Sequence, residues 1–280
     1  MITPEMKLKV IAALPEFSGR GYMVGEMPGI PGKIAGNLKL GTMCGMMKTW
    51  NAESTAAGFE YVSQKAKAGK VFYDIWPEED RRKDPAKKRT GLAAFPLPKK
   101  SKFAVICAGG GYAMVCSMVE AFPLVKQLNE AGYAVFAVHY RVGKDAKAPA
   151  PMEDLAQAIR FILGHAEEFQ VEKEGYAVGG FSAGGHLAAS WGTKTHGYAH
   201  YHLPKPAVML LSYPVITMTE KTHKGSRNCL LGKKADAGLV GAYSVEKQVT
   251  ADYPPSYVWQ FDQDNMVPID NTKLLVEKLK

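Results

Sequence analysis

The stretch Gly180-Phe181-Ser182-Ala183-Gly184 decides the fold, because it places a serine between two glycines where a strand-like run meets a helix-like run. Residues 176–179 form an apolar run typical of a buried strand, and residues 186–189 continue as a helical segment. Side chains beside a serine at so sharp a corner must be small, and the two glycines of the stretch satisfy that requirement. The pattern G-x-S-x-G in this context predicts a nucleophile elbow, with the Ser182 hydroxyl exposed beside a helix N-terminus.

A glycine-rich segment upstream supports this interpretation. Residues 103–107 have the apolar character of a fully buried strand, and they lead into Gly109-Gly110-Gly111. Consecutive glycines let backbone N–H groups approach a ligand oxygen closely. We therefore expect the N–H groups of Gly110, Gly111 and Ala183 to form an oxyanion hole. The alternative, a flexible glycine turn, leaves the agreement between the two motifs unexplained.

With these motifs in place, residues 71–280 resemble the α/β-hydrolase fold. Within that fold the chain resembles the acetyl-esterase and carbohydrate-esterase branch, which is related to the hormone-sensitive-lipase and feruloyl-esterase-like families. One departure is Ala108, where relatives usually carry His or Pro. The residues that carry the resemblance are the elbow with Gly185-His186-Leu187-Ala188-Ala189 and the segments 106–112, 139–142, 149–154 and 264–268.

The resemblance implies a serine carboxylester hydrolase that acts on small acyl groups, with acetyl esters of plant-type saccharides as the substrate class. Such an enzyme needs neither a cofactor nor a metal. Two rival functions stay open. A peptidase of the prolyl-oligopeptidase type uses the same elbow, although it usually carries a much longer domain ahead of it. The second rival is a non-catalytic binding or scaffold protein with a hydrolase fold.

The periodicity of the chain predicts a mostly parallel sheet covered by helices on both faces, since its strands are apolar throughout and alternate with helices. One predicted helix face is formed by Leu155, Ile159, Ile162, Leu163 and Ala166. Further helices are predicted over 4–14, 52–68, 122–131 and 268–279. Strands are predicted over 71–76, 103–107, 133–140, 176–181, 208–213 and 256–261.

The length of 280 residues fits one large domain with an appendage. We expect residues 1–70 to be a Met- and Gly-rich extension and residues 71–280 to be the hydrolase domain. The extension holds seven of the 13 methionines, which suit irregular apolar surfaces. Two uses stay open: a cap over the serine, or a segment packed elsewhere, such as the interface of a homo-oligomer.

The composition limits the partners and the compartment. No apolar run reaches the roughly 20 residues of a membrane span, and the N-terminus lacks the pattern of a signal peptide. The four cysteines show no metal-binding spacing, so we expect free thiols in the cytoplasm. The net charge of +8 arises within residues 1–102. Its basic run at 81–89 has no interleaved aromatic residues, which predicts a solvated hairpin or loop rather than a nucleic-acid site.

The acidic member of the expected triad is Asp264. The triad of this fold follows the chain order Ser, Asp or Glu, then His. Asp264 lies just after the predicted strand 256–261 and opens the pattern Asp-x-x-Val-Pro. Asp262 is a nearby rival, and capping of the next helix is the structural alternative for Asp264.

No histidine follows Asp264 in this sequence. In the family one more strand follows the closing helix, and the loop after it carries the histidine. The resemblance therefore implies that the sequence stops about 20–40 residues short of a complete hydrolase and lacks the last strand. We expect the base beyond Lys280, and the absent C-terminal segment is itself a candidate partner. The internal histidines are expected to be structural or surface residues, namely His139, His165, His186, His196, His200, His202 and His223.

Three further polar residues match family positions. Glu120 is expected to orient the glycine loop through backbone hydrogen bonds, with a plain solvated helix position as the alternative. Arg141 and Asp154 are expected to form a buried structural pair behind the site rather than to act in catalysis.

Overall fold

The computed structural model describes residues 1–20, 32–47 and 50–280, and one sheet organises this part of the chain. Its strands are β1 (Phe72–Tyr73), β2 (Gly91–Phe95), β3 (Phe103–Cys107), β4 (Ala134–His139), β5 (Ala177–Phe181), β6 (Val208–Ser212) and β7 (Ser256–Trp259). The strand order is β1-β2-β4-β3-β5-β6-β7. The pairs β1–β2 and β2–β4 are antiparallel, and the other neighbours are parallel. The prediction of a mostly parallel sheet is confirmed.

Helices connect and cover these strands. In chain order they are α1 (Leu8–Ala12), α2 (Gly32–Ala35), α3 (Leu40–Gly45), α4 (Ala52–Ala68), α5 (Glu78–Lys83), α6 (Phe122–Glu130), α7 (Ala150–Gly164), α8 (Ser182–Trp191), α9 (Lys224–Leu230), α10 (Ala237–Ala242) and α11 (Asp270–Leu279). Every residue of β3 and β4 is buried. Because successive side chains of a strand point to opposite faces, both faces of the sheet are covered there. None of the helices in the described ranges is long and apolar enough to cross a bilayer.

The predicted helix face of α7 is confirmed for Leu155, Ile159 and Ile162, which are all fully buried. Leu163 is only half-buried, and Ala166 lies after the end of the helix. Helix α4 begins where Asn51 accepts a hydrogen bond from the Ser54 N–H at 2.8 Å, which satisfies one of the free donors of its first turn. The prediction of a helix over 52–68 is therefore confirmed.

Several predicted boundaries are wrong. The predicted strand over 71–76 is only β1, because the chain leaves the sheet edge at Asp74, whose carboxylate binds Arg20 at 2.7 Å and Arg81 at 3.0 Å. The helix predicted over 4–14 is only α1, and a 3₁₀ turn follows it at Pro15–Phe17.

The basic run at 81–89 is neither a hairpin nor a simple loop. Its first part completes α5, and a 3₁₀ helix follows at Pro85–Arg89. Three acidic residues lie in the first turn of α5 and three basic residues in its last turn. This order complements the partial charges at the ends of a helix, so the charges stabilise a short helix in this place.

The last strand of the sheet, β7, is only half covered. Its neighbour is β6 on one side, and its side chains alternate between partly buried and exposed. Tyr257 and Phe261 are exposed by 64% and 61%, although a strand apolar throughout was predicted to be buried. One face of the sheet therefore presents aromatic side chains at this edge.

The N-terminal segment packs against the hydrolase-like part through α4 and α6. The rings of Phe59 and Phe122 meet edge to face at 5.5 Å between centroids. The Tyr61 hydroxyl also donates to the Asn129 side chain. Of the seven methionines noted in this segment, Met23 and Met27 lie outside the described residues. The division of the chain at residue 70 stays a prediction.

Candidate active site

Ser182 lies at the corner between β5 and α8. Its φ is +51°, in the left-handed region that non-glycine residues rarely adopt. A β-carbon on Gly180 would lie 2.2 Å from the Gly184 carbonyl oxygen, and one on Gly184 would lie 2.2 Å from the Cys107 carbonyl oxygen. Both distances are far below van der Waals contact. Glycine at these two positions is what lets α8 begin against the ends of β3 and β5.

The glycine loop lies directly beside Ser182. A β-carbon on Gly109 would lie 2.8 Å from Ser182 Cβ and 2.8 Å from the Phe181 carbonyl oxygen. Gly110 and Gly111 have φ values of +124° and +67°, which favour glycine. The loop can therefore approach the serine only because it lacks side chains and turns through left-handed conformations.

Three N–H groups close to this corner have no acceptor in the described part of the chain. They belong to Gly110, Gly111 and Ala183. The Ala183 N–H lies in the first turn of α8, where no intrahelical acceptor exists, and Phe181 supplies no side-chain cap. Unpaired N–H groups at a helix N-terminus attract negative charge. The corner can therefore accommodate an oxygen atom that becomes anionic.

Glu120 fixes the start of the glycine loop from behind. It belongs to a π-helical turn at Ser117–Ala121, and it is buried. One carboxylate oxygen accepts the Gly109 N–H, and the other accepts the Tyr213 hydroxyl at 3.1 Å. Burial raises the pKa of Glu120 to about 7, although both hydrogen bonds oppose the shift. The expected contact with the loop is confirmed, and the alternative of a solvated position is wrong.

Asp264 is held by the turn that follows β7. Its Oδ1 accepts the N–H groups of Met266 at 2.8 Å and Val267 at 2.9 Å, and its Oδ2 accepts Gln260 Nε2 at 3.3 Å. Asp262 is exposed and has no hydrogen-bond partner among the residues the structure describes. The carboxylate of Asp264 is therefore oriented, whereas that of Asp262 is not. The Asp264 side chain caps this turn rather than α11, which begins later.

Arg141 and Asp154 form the expected buried pair. Arg141 Nε lies 2.9 Å from Asp154 Oδ2, and the Arg141 N–H donates to the same oxygen at 2.7 Å. Trp76 Nε1 donates to the other carboxylate oxygen of Asp154 at 2.9 Å. These bonds join α7, the end of β4 and the segment after β1. Trp76 was not recognised from the sequence as part of this cluster.

Several histidines are committed to structural hydrogen bonds. His186 Nε2 lies 2.8 Å from the Tyr243 carbonyl oxygen, and His186 Nδ1 lies 2.8 Å from the Tyr112 hydroxyl. Burial lowers the pKa of His186 to about 4, so the ring is neutral at pH 7. Because a carbonyl can only accept, Nε2 carries the proton and Nδ1 accepts from Tyr112. The structural role expected for His186 agrees with these contacts.

Three other internal histidines also bind backbone carbonyls. Nδ1 of His139 lies 2.9 Å from the Arg89 oxygen, and Nδ1 of His165 lies 2.8 Å from the Phe161 oxygen. His196 Nε2 lies 2.9 Å from the Ala242 oxygen. The described residues contain no group of three or more His, Cys, Asp or Glu side chains suited to a metal ion.

His223 lies beside the glycine loop, which the sequence did not indicate. A β-carbon on Gly111 would lie 3.5 Å from His223 Cε1. Burial lowers the pKa of His223, and the nearby Asp264 carboxylate opposes that shift. Because His223 precedes Asp264 in the sequence, the chain order Ser, Asp, His excludes it from the expected triad. In the described residues no histidine forms a hydrogen bond with Ser182 or Asp264.

A cavity of about 480 Å³ lies on the side of the elbow that Glu120 occupies. Its lining combines the N-terminal segment, through Trp50, with aromatic residues of the sheet. These include Phe181, Tyr213 and Trp259. The N-terminal segment thus reaches the sheet face next to Glu120.

The family model BD-FAE matches residues 96–279. The acetylxylan esterase of Xylanibacter ruminicola is 33% identical over 165 residues, which are 58% of this chain and 33% of that protein. The endo-1,4-beta-xylanase B of Butyrivibrio fibrisolvens is 31% identical over 185 residues, which are 63% of this chain and 29% of that protein. The chain therefore spans about a third of the length of these curated relatives.

Solved structures agree with the family match. The acetyl ester-xyloside bifunctional hydrolase of Caldicellulosiruptor lactoaceticus superimposes with a TM-score of 0.66 at 31% identity, covering 74% of this chain and 80% of that one. A lipase/esterase of Lactobacillus plantarum superimposes with a TM-score of 0.59 at 26% identity, covering 68% and 81%. The family match covers more than half of the chain, and the sheet agrees with these relatives. The chain belongs to the BD-FAE family and has the α/β-hydrolase fold.

Proposed function

We propose that this chain is the catalytic domain of a serine carboxylester hydrolase that removes small acyl groups, acetyl in particular, from saccharides. The observation that carries the proposal is the contact between the glycine loop and the serine, where a Gly109 β-carbon would lie 2.8 Å from Ser182 Cβ. The proposal is supported by the N–H groups of Gly110, Gly111 and Ala183, which have no acceptor among the residues that the structure describes. The acetyl and saccharide preferences rest on relatives named acetylxylan esterase and acetyl ester-xyloside bifunctional hydrolase.

In the proposed reaction the Ser182 oxygen attacks the carbonyl carbon of the ester. The carbonyl oxygen becomes negative in the tetrahedral intermediate, and the N–H groups of Gly110, Gly111 and Ala183 donate to it. When the intermediate collapses, the bond to the alcohol oxygen breaks and the alcohol leaves with the proton that came from Ser182. Water then attacks the acyl-serine by the same route, which releases the carboxylic acid and restores the serine.

A base must carry that proton, and we propose that Asp264 orients a histidine that does so. The three hydrogen bonds on Asp264 fix the direction of its carboxylate. His186 is excluded because both of its ring nitrogens are occupied in the core. That the base follows Lys280 in the natural protein stays a prediction. This chemistry uses no cofactor and no metal.

The nucleophile is tested in the protein as its gene encodes it, with any residues that follow Lys280. Hydrolysis of p-nitrophenyl acetate and release of acetate from acetylated xylan are measured for wild type and Ser182→Ala. We expect Ser182→Ala to lose roughly 10³-fold or more of kcat. Ser190→Ala, which changes the other serine of α8, is the control and should hydrolyse both substrates like wild type. Equal rates for wild type and Ser182→Ala would refute the proposal. Cleavage of a chromogenic dipeptide in place of both esters would favour a peptidase.

The acidic residue is tested by a matched pair of variants. Asp264→Asn keeps the shape of the side chain but removes the charge that would orient and stabilise a protonated histidine. We expect it to lower kcat by roughly 10²–10⁴-fold. Asp262→Asn changes a carboxylate two residues away that is exposed, and it should leave kcat within about 2-fold of wild type, as is usual for surface substitutions. The opposite ranking of the two variants would assign the role to Asp262.

A further inference from the structure

We propose that His223 is a specificity residue whose Nε2–H donates a hydrogen bond to an oxygen of the saccharide part of the bound ester. The inference rests on the proposed function, because it takes the corner at Ser182 as the place where the ester carbonyl lies. It assigns a substrate contact to a histidine that the chain order excludes from the triad.

The position of His223 follows from two contacts along the glycine loop. The Gly109 end of the loop lies against Ser182, where a β-carbon would come within 2.8 Å of the serine Cβ. Two residues further on, a β-carbon on Gly111 would lie 3.5 Å from His223 Cε1. The imidazole therefore borders the loop whose N–H groups are proposed to bind the carbonyl oxygen. The Cε1 atom is bonded to both ring nitrogens, so Nε2 is one bond away from the atom that borders the loop.

The proton of the imidazole is assigned by the other ring nitrogen. His223 is the N-cap of α9, where Nδ1 accepts the Ser226 N–H at 3.3 Å and lies 2.8 Å from Ser226 Oγ. A neutral imidazole that accepts at Nδ1 carries its proton on Nε2. Burial lowers the pKa of His223, which keeps the ring neutral near pH 7. The same assignment argues against His223 as the base, since an Nε2 that already carries a proton cannot take one from Ser182.

This Nε2–H is available to a ligand. In the described part of the chain, His223 forms its hydrogen bonds through Nδ1 and its backbone oxygen, and Nε2 has no protein partner. The ring is half-buried. A donor in such a position is normally satisfied by water or by a bound group.

The ring is held firmly in place before any ligand binds. The loop that leads to His223 is fastened to α11, because Asn271 Oδ1 accepts the N–H groups of Ile216 at 2.9 Å and Thr217 at 3.1 Å. Asn271 Nδ2 donates to the Lys221 oxygen at 3.0 Å, two residues before His223. A donor fixed in this way loses little conformational freedom on binding, which favours specificity.

The chemistry of the ester selects the oxygen that His223 reaches. An acetyl group carries a single oxygen, and that carbonyl oxygen is already proposed to accept from backbone N–H groups. The remaining oxygens of a saccharide ester belong to the sugar, as hydroxyl, ring and glycosidic oxygens. A neutral imidazole N–H suits these uncharged acceptors, because it carries no net charge that would favour an anionic group over them.

Two variants separate the proposed role of His223 as a hydrogen-bond donor from its role as the N-cap of α9. His223→Asn places an amide oxygen near the position of Nδ1, which keeps the cap in the manner of Asn51 at α4, but it removes the Nε2–H. His223→Gln extends an amide N–H towards the position of Nε2 but gives up the short-range cap. Kinetics on acetylated xylobiose and the thermal midpoint are measured for both variants and for wild type.

With acetylated xylobiose we expect His223→Asn to raise KM by roughly 3–10-fold with kcat within about 2-fold of wild type, the size expected for one neutral hydrogen bond. His223→Gln should restore most of the wild-type KM while it lowers the thermal midpoint. A wild-type KM for His223→Asn together with a lower midpoint for His223→Gln would mean that His223 is a cap only. A loss of roughly 10³-fold in kcat for both variants would mean that His223 is the base. Either result would overturn the proposal.

A second measurement does not depend on whether the two His223 variants fold. In Ser182→Ala with ¹⁵N-labelled histidine, acetylated xylobiose should shift the His223 Nε2 resonance and leave the Nδ1 resonance in place. An unchanged Nε2 resonance at saturating ligand would overturn the proposal. Failure of the proposed function is recognised separately, because wild type would then hydrolyse p-nitrophenyl acetate no faster than Ser182→Ala.

Discussion

At the scale of single residues, the corner at Ser182 combines a strained backbone with neighbours that have no side chains. A left-handed conformation costs a non-glycine residue on the order of 1–2 kcal/mol, and Ser182 adopts it with a φ of +51°. The conformation persists only because the surrounding contacts stabilise it by more than this cost. Gly184 packs so close to the end of β3 that an added β-carbon would lie 2.2 Å from the Cys107 carbonyl oxygen.

Gly184→Ala is expected to destabilise the protein strongly. Its β-carbon would lie 2.2 Å from the Cys107 carbonyl oxygen and 2.3 Å from the Ala108 carbonyl oxygen, and backbone atoms cannot move aside as a flexible side chain can. We expect the free energy of unfolding to fall by about 3 kcal/mol or more, as measured by urea denaturation. Gly241→Ala is the control, since no atom lies within 4 Å of its added β-carbon. It should be neutral or stabilise α10 by up to about 1 kcal/mol. Equal midpoints for the two variants would contradict the contact at Gly184.

Glu120 is expected to make stability depend on pH. Its pKa is raised from the ordinary 4.5 to about 7 in the folded protein. Because the carboxyl ionises at lower pH in the unfolded chain, its contribution to stability is complete below about pH 4.5 and is lost as the pH rises through 7. The free energy of unfolding of wild type minus that of Glu120→Gln should fall by roughly 3 kcal/mol over this interval. Urea denaturation at pH 4.5, 6 and 8 measures the difference, and other titrating groups cancel in it. A difference that does not change with pH would contradict the raised pKa.

The sequence predicted local features of the site better than long-range ones. The corner at Ser182 is encoded by five consecutive residues, so its pattern was visible. Glu120 reaches Tyr213 across 93 residues of sequence, and no local signal indicated that partner. The position of His223 was missed for the same reason, because it depends on how the loop before α9 folds back onto the glycine loop.

At the scale of elements, α11 and the segment after β6 stabilise each other through one side chain. Asn271 is fully buried, and its amide joins α11 to Ile216, Thr217 and Lys221. The N–H groups of Ile216 and Thr217 would otherwise be buried without a partner, at a cost of about 1–3 kcal/mol each. The path of the loop towards His223 depends on this residue.

Asn271→Ala is therefore expected to lower the free energy of unfolding by about 2–4 kcal/mol, because it leaves buried N–H groups without an acceptor. Lys273→Ala, an exposed position on the same helix, is the control and should change stability by less than about 0.5 kcal/mol. Hydrogen exchange measured by mass spectrometry should also show faster exchange over residues 215–223 in Asn271→Ala. Unchanged exchange in that segment would mean that α11 does not hold the loop.

The hydrophobic pattern was a poor guide to two elements, α5 and the edge strand β7. In α5, charge outweighs the pattern, and in β7 the position at the edge of the sheet does. Helix α5 has no buried residue, so no apolar periodicity predicted it. The order of its charges is the feature of the sequence that indicates a helix there. Strand β7 was predicted from its apolar residues, but only one of its faces is partly covered, and Tyr257 on the other face is exposed. In contrast, β3 and β4 are buried on both faces, and their continuous apolar runs identified them correctly.

At the scale of the whole molecule, the N-terminal segment and the sheet share one apolar core. Phe17 contacts Phe59 edge to face at 6.1 Å between centroids, and Phe59 contacts Phe122 at the start of α6 at 5.5 Å. A hydrogen bond also joins the two parts, since the Tyr61 hydroxyl of α4 donates to the Asn129 side chain of α6. The sequence left open where residues 1–70 would pack, because helix α4 carries no local signal for the surface it meets. We expect this part of the chain to unfold together with the sheet.

The contact between α4 and α6 gives a direct test of that expectation. A β-carbon on Gly58 would lie 2.7 Å from the Pro123 nitrogen and 2.8 Å from the Phe122 carbonyl carbon, so Gly58→Ala forces the two helices apart. We expect the free energy of unfolding to fall by about 1–3 kcal/mol, although alanine favours an isolated helix. Hydrogen exchange should become faster in both Ala52–Ala68 and Phe122–Glu130.

Gly45→Ala provides the control for Gly58→Ala, because it adds the same methyl group near the N-terminus with no atom within 4 Å. It should leave the urea midpoint of wild type unchanged or raise it slightly. Because the two helices share one core, Gly58→Ala should also keep a single unfolding transition at a lower midpoint. Two separate transitions in wild type, with the first confined to residues 1–70, would instead show that the N-terminal segment folds independently of the sheet.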